Sequence, residues 1–266
     1  MRIASVGHAV FAATMIAMGL MGLIQGDFAP IWQQVPEALS TSKPLAYLCA
    51  FVSLAGGLGL LWRRTAAPAA RVLFFFLFAW MLLVDSRFVV QAPLVEGSYQ
   101  MTGETAVIVA AAWVLYAGFA TDGDRRRVGF AVGDRGVRLA RVLYGLALVA
   151  FGLSHFVYLE LTTPLVPAWL HVPVFWAYFT GATFLAAGLA VIFRLRARLA
   201  AALSAWQIGL FTLIVWGPIL AVGNVSAQHW TETVVSWVLT AAAWVVADSY
   251  RESGQGPSFP PAPRVS

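Results

Sequence analysis

Leu139 to Tyr158 reads LARVLYGLALVAFGLSHFVY, an apolar run broken by one guanidinium near its start, Arg141, and one imidazole near its end, His155. At 1.5 Å per residue such a run forms a helix of about 30 Å, the thickness of a bilayer's hydrocarbon. Backbone N–H and C=O groups find no water there, so a segment of this kind must bond internally as a helix. Seven more runs resemble it: Val6–Ile24, Pro44–Trp62, Ala66–Val84, Thr105–Ala120, Val174–Phe193, Leu199–Val222 and Thr233–Ala247. Composition agrees, because the 266 residues are 60% hydrophobic and 11% charged with a mean hydropathy of +0.78, whereas water-soluble domains are about half apolar and a quarter charged. An all-α membrane protein of eight spans is expected. The first run has the length of a signal-peptide core but no small-x-small cleavage pattern, and reads as a retained helix.

Cytoplasmic loops collect Lys and Arg. All but Lys43 and Arg87 of the 17 basic residues fall at one end of the predicted bundle, in the clusters around Arg63, Arg125, Arg138, Arg196 and Arg251 and at Arg2 and Arg264. This predicts a multi-pass protein of a bacterial inner membrane with both termini in the cytoplasm. The sequence pI near 9.8 then reflects topology and contact with the anionic lipid bilayer, and no basic stretch interleaved with aromatics points to nucleic acid. The single cysteine, Cys49, rules out an internal disulfide and two-cysteine redox chemistry and reads as packing.

The two halves of the chain echo each other at a spacing of about 131 residues. Gly19-Leu20 recurs as Gly152-Leu153, Ala46-Tyr47 as Ala177-Tyr178, Gly57-Leu58 as Gly188-Leu189, Arg63 as Arg194, Glu104-Thr105 as Glu232-Thr233, and Ala111 to Val114 as Ala242 to Val245. Each unit holds an even number of spans, so the copies are parallel. The expected organisation is a four-helix unit over 1–121, a charged cytoplasmic linker over 122–137, a second four-helix unit over 138–250 and a disordered tail over 251–266, rich in Pro, Gly and Ser.

The second unit carries Gly152-Leu-Ser-His155-Phe, Pro164, Val-Pro167-Ala-Trp169-Leu, Phe175-Trp-Ala-Tyr178-Phe-Thr-Gly181 and Ala187-Gly188-Leu. In these motifs it resembles the DoxX-like (DoxX/DoxD) membrane proteins of bacteria, and the first unit follows more loosely. The resemblance implies a four-helix module, sometimes duplicated, and an accessory role beside respiratory or sulfur-oxidising oxidoreductases or in redox defence. Relatives often place a Glu or His shortly after the glycine matching Gly181, where this chain has Ala182-Thr183-Phe184, and Gly22 stands in the first unit where the second has His155.

Ionisable residues near a span are functional candidates. Those away from the basic end are Asp27, Glu37, Asp85, Glu96, Glu104, His155, Glu160, His171, His229 and Glu232, and the second unit's share with two neighbouring aromatics forms the candidate binding set: His155, Tyr158, Glu160, Trp169, His171, His229 and Glu232. His155 could hydrogen-bond a quinone carbonyl, and a pair of histidines could ligate haem; a neighbouring helix or water could equally be its partner. Glu104 and Glu232, behind Thr102 and Thr231, read as first-turn acids of capped helices. Arg87 reads as snorkelling to lipid phosphate, and Gln207 as an interhelical hydrogen bonder. Trp32, Trp169, Trp176, Trp216 and Trp230 read as an outer aromatic belt, with Trp62, Trp113 and Trp244 as the inner one. Trp216-Gly217-Pro218 should kink the seventh span and could open a cavity. No nucleotide loop, hydrolase triad or dithiol is present. The expected role is a quinone-binding or accessory component of a membrane redox complex, or else a lipid or small-hydrophobe binding or transport protein without catalysis of its own. Reporter fusions after Ile24, Val90, Tyr158 and Val222 should read outside, and fusions after Trp62, Ala120, Phe193 and Ala247 inside; an inside reading after Tyr158 contradicts a parallel duplication.

Overall fold

The computed structural model describes residues 5–223 and 226–252; of the tail expected over 251–266, Arg251 and Glu252 continue the last helix and the rest lies outside the described residues. Within them the chain is helical without strands, and eight helices are long and apolar enough to cross a membrane. They are Val6–Gln25, Lys43–Leu60, Ala66–Gln91, Glu96–Phe119, Gly133–Val157, Pro173–Ile192, Ala197–Ala221 and Ala227–Glu252, called here the first to eighth spans. Most outrun the apolar runs, because a helix continues through polar residues once its backbone is already bonded.

Local signals explain several ends. Ser5 caps the first span by accepting from the His8 amide at 3.2 Å, and the span stops at Gly26, whose φ of 67° is left-handed and whose N–H reaches the Gly22 carbonyl at 2.8 Å. Pro173 opens the sixth span, where its missing N–H would be unpaired anyway. A π-helical turn over Thr212–Trp216 precedes Pro218, where the kink is expected, and the third span contains another over Met81–Asp85.

Lipid supplies no hydrophobic force between helices, so close packing at small residues must hold them. The first span lies against the second at Gly57, where a Cβ would sit 2.8 Å from the Ala12 carbonyl oxygen. The fifth lies against the sixth at Gly188, where a Cβ would sit 2.6 Å from the Gly145 carbonyl oxygen. The third and fourth, and the seventh and eighth, also pack in pairs; the fourth touches the fifth, the eighth touches the first, and the fourth and eighth meet at the centre. Cross-bundle hydrogen bonds tie the halves together, Gly7 N–H to Asp248 Oδ2 at 2.9 Å and Trp237 Nε1 to Thr14 Oγ1 at 3.1 Å, while Trp113 Nε1 donates to the Ala131 carbonyl of the linker at 2.8 Å.

Two connections depart from the sequence expectations. After the first span the chain turns inward, and Ile31 and Trp32 are 0% exposed within the N-terminal core. Trp32 is therefore a core residue and not part of an aromatic belt. The two basic residues that break the charge asymmetry clamp this loop. Lys43 Nζ bonds the Gly26 carbonyl at 2.9 Å and Asp27 Oδ1 at 2.8 Å, while Arg87 Nη2 donates to the Gln34 carbonyl. Arg87 thus serves a backbone acceptor of the loop.

The 122–137 segment is folded too. Its Asp122–Val128 helix has a capping box at Thr121, and Asp124 is buried. The Asp124 carboxylate pairs with Arg71 (Nε to Oδ1 2.6 Å, Nη2 to Oδ2 2.8 Å) and accepts from the Thr121 amide at 2.8 Å, fastening the linker to the third span. Burial alone would raise its pKa, but the Arg71 and Thr121 hydrogen bonds outweigh burial and hold it at about 2. Because the folded value lies below the unfolded one, this stabilisation is present above about pH 4 and is lost as pH falls toward 2. Asp124→Asn should lower stability by about 1–2 kcal/mol at neutral pH, and the difference from wild type should shrink in thermal melts taken from pH 5 down to pH 2.

Candidate functional site

A cavity of about 880 Å³ lies between the fifth, sixth, seventh and eighth spans, closed at the centre by the fourth. Phe151, Phe184, Phe211, Leu203 and Leu239 supply apolar wall, and the polar lining includes Gln100, Glu104, His155, Thr183, Gln207 and Glu232. Such a volume suits a drug-sized ligand, for which pockets of roughly 300–1,000 Å³ are usual.

His155 sits near the end of the fifth span, and its Nδ1 bonds the Phe151 carbonyl one turn back at 2.8 Å. The ring stacks on Phe211 at 6.4 Å and 18° and tilts against Phe184 at 5.8 Å. Gly181 makes room for it: a Cβ there would lie 2.8 Å from His155 Cβ, which brings the sixth span to backbone contact beside the imidazole. The Ala182-Thr183-Phe184 segment after that glycine supplies lining in place of an ionisable group. Gln207 behaves as expected, accepting from Thr183 Oγ1 at 3.0 Å and donating to the Thr180 carbonyl at 3.2 Å, so it joins the sixth and seventh spans. Where the π-helical turn begins, Thr212 Oγ1 meets Ser236 Oγ at 2.8 Å and Thr240 Oγ1 at 3.1 Å, joining the seventh span to the eighth.

Glu104 and Glu232 enter the cavity from the two central spans. Neither is a first-turn acid. The fourth span begins at Glu96 and the eighth at Ala227, so Glu104 is more than two turns and Glu232 more than one turn inside its helix. Thr102 is no cap either, since its hydroxyl bonds the Ser98 carbonyl at 2.8 Å and the Asp85 carbonyl at 3.2 Å. Gln100 Nε2 donates to Glu104 Oε1 at 3.3 Å, and Glu104 lies within electrostatic reach of Glu232 and Asp85. Asp85, in the π-helical turn of the third span, is 1% exposed and has the Thr105 hydroxyl beside it.

Of the seven residues singled out from sequence, His155 and Glu232 line the cavity. Tyr158 is tied to the fourth span, its hydroxyl accepting from the Gly97 amide at 3.0 Å. Glu160, Trp169, His171 and His229 are exposed and outside the cavity lining, and the His171 carbonyl accepts from Trp176 Nε1 at 3.0 Å. The structure does not bring the three histidines together, and among the described residues no group of three or more His, Cys, Asp or Glu could hold a metal ion. Sequence reasoning missed Gln100 and Glu104 as lining groups. The available signal was the spacing of Glu96, Gln100 and Glu104, which puts three polar side chains four residues apart on one face of a membrane helix. Chemically, the site can hold an apolar body against its rings and bond a polar head through two carboxyls, an imidazole and an amide.

Comparison with protein families, with curated proteins and with solved structures finds no match to this chain. The geometry makes its own test available through the single cysteine. In a Cys49→Ala background, Thr183→Cys should react readily with a small lipid-permeant maleimide, whereas Thr105→Cys, at a position 0% exposed, should stay unlabelled. Equal labelling of both contradicts the described cavity.

Proposed function

We propose that this chain is a multi-pass protein of a bacterial inner membrane that binds a small lipophilic molecule with a polar head, in the cavity of its C-terminal half. The cavity of about 880 Å³, whose mainly apolar walls carry Glu104, Glu232, His155 and Gln207 among their polar groups, is the observation that carries this reading. Apolar walls select a lipophile, and the few convergent polar groups fix its orientation. We further propose two parallel four-span units with both termini cytoplasmic. Matching contacts support it: Gly57 meets Ala12 and Ile16 as Gly188 meets Gly145 and Val149, and the π-helical turns Met81–Asp85 and Thr212–Trp216 fall at corresponding positions. Along the continuous fourth and eighth helices a single offset must hold, and the offset that pairs Trp113 with Trp244 sets Glu232 against Met101. The two glutamates are then one turn out of register, and Glu104 belongs to the cavity in its own right.

A second reading is a DoxX-like quinone-binding accessory of a membrane redox complex. One observation favours it: His155 donates Nδ1–H to the Phe151 carbonyl, which leaves Nε2 of the neutral ring as an acceptor for a quinol hydroxyl in the cavity. Protein purified in mild detergent should carry a lipophile identifiable by mass spectrometry of its organic extract. Ala187→Trp, which fills the cavity, should lose that lipophile while melting within a few degrees of wild type. A quinone absorption band that disappears in His155→Ala would select the redox reading. Retention of the lipophile by Ala187→Trp would contradict the assignment of the site.

A further inference from the structure

We propose a second site, on the arginine-rich face, that binds the phosphate of an anionic phospholipid. A pocket of about 700 Å³ opens between the turn joining the sixth and seventh spans and the end of the eighth, and Arg194, Arg196, Arg198 and Arg251 line it together with Trp206 and Tyr250. Its one carboxylate is already engaged: Asp248 Oδ2 accepts from the Gly7 amide at 2.9 Å and Oδ1 faces Arg251 Nη1 at 3.5 Å. Arg194, Arg196 and Arg198 have no carboxylate partner among the described residues. Arg194 also acts electrostatically on Arg141 and Tyr250, so positive potential accumulates on this corner.

The backbone shows that the arginines are placed and not merely tolerated. Among the described residues only Val172, Arg194 and Arg196 are non-glycine residues with positive φ, and the two arginines stand at 59° and 49°. A turn needing nothing but left-handed backbone is best served by glycine or asparagine. Arginine at both positions keeps guanidinium groups where glycine would relieve strain, which is the pattern of a functional turn. Guanidinium forks match phosphate oxygens in pairs.

The surroundings select a lipid over a free anion. Phe193 and Leu195 alternate with the arginines and are 66% and 65% exposed, so apolar groups flank the charges. Trp206 and Trp244 meet edge to face at 5.5 Å along the pocket wall, as aromatics do at headgroup depth. Arg196, Leu199 and Trp206 are walls of both this pocket and the larger cavity, which places apolar surface beside the phosphate position for acyl chains. Neither Arg63 nor Arg64, in the turn between the second and third spans, has a positive φ, so left-handed arginines are peculiar to the second turn.

Native mass spectrometry of the full chain in mild detergent, with phosphatidylglycerol or phosphatidylcholine added at equal concentration, tests the proposal. Phosphatidylglycerol adducts should survive about tenfold better. Arg194→Gln/Arg196→Gln/Arg198→Gln should abolish that preference, while Arg63→Gln/Arg64→Gln/Arg126→Gln, which removes the same charge from the same face, should keep it. Arg194→Gly/Arg196→Gly relaxes the backbone and should lose the preference with an unchanged or raised Tm, which separates the side chains from folding. Equal loss in the two glutamine triples would reduce the effect to net charge and overturn the site, as would retention by the glycine variant. Displacement of phosphatidylglycerol by millimolar inorganic phosphate would overturn the lipid assignment.

Discussion

Close approach of helix backbones in hydrocarbon is the constraint on which this structure rests. Lipid tails solvate a leucine as well as another leucine does, so helices associate only where packing and hydrogen bonds exceed what lipid offers. Gly57 against Ala12 and Ile16, and Gly188 against Gly145 and Val149, bring the first and second spans and the fifth and sixth to contacts that any side chain would prevent. With these pairs fixed, the third and seventh spans lean on their neighbours, and the fourth and eighth are left to meet at the centre. The fourth is accordingly the most buried of the spans, with 78% of its apolar window inside the protein. That position lets it carry Gln100 and Glu104, which are partly buried and line the cavity.

The halves share this packing and differ in what fills it. In the N-terminal half the loop after the first span drives Ile31 and Trp32 into the core and is held by Lys43 and Arg87. In the C-terminal half the corresponding connection stays at the rim: Thr162, Leu165 and Leu170 edge the cavity while Trp169 is 66% exposed. One connection is a plug and the other a border. The two basic residues on the sparsely charged side are therefore fold determinants, and the asymmetry between halves originates in loop chemistry more than in the exchange of His155 for Gly22.

The spans were legible because hydrocarbon imposes a single long apolar pattern, and Gln207 was legible because a lone amide in that pattern needs a helix partner. Helix ends were not legible, since hydropathy marks where lipid contact begins and not where backbone bonding begins. The run starting at Thr105 thus made Glu104 look like a first-turn acid, although its helix starts at Glu96. Trp32 was misread for a related reason: a tryptophan beside an apolar run is the mark of an interface, and only the inward course of the loop makes it core. His155 and Glu232 were found as ionisable groups near spans, yet the same rule also selected Glu160, His171 and His229, because depth along the sequence says nothing about which way a loop folds. The arginines of the 194–198 segment were read solely as topology signals, and the left-handed backbone of Arg194 and Arg196 has no signature in the sequence.

The central claim is that one half is plugged by its own loop while the other keeps a cavity for a lipophile. An experimental density map of the protein in lipid nanodiscs addresses it most directly. The account predicts continuous side-chain density for Ile31 and Trp32 in the N-terminal half, and elongated non-protein density between the fifth to eighth spans reaching Glu104 and Glu232. A C-terminal half closed by its own side chains, or ligand density in the N-terminal half with Trp32 turned out to the lipid, would contradict it.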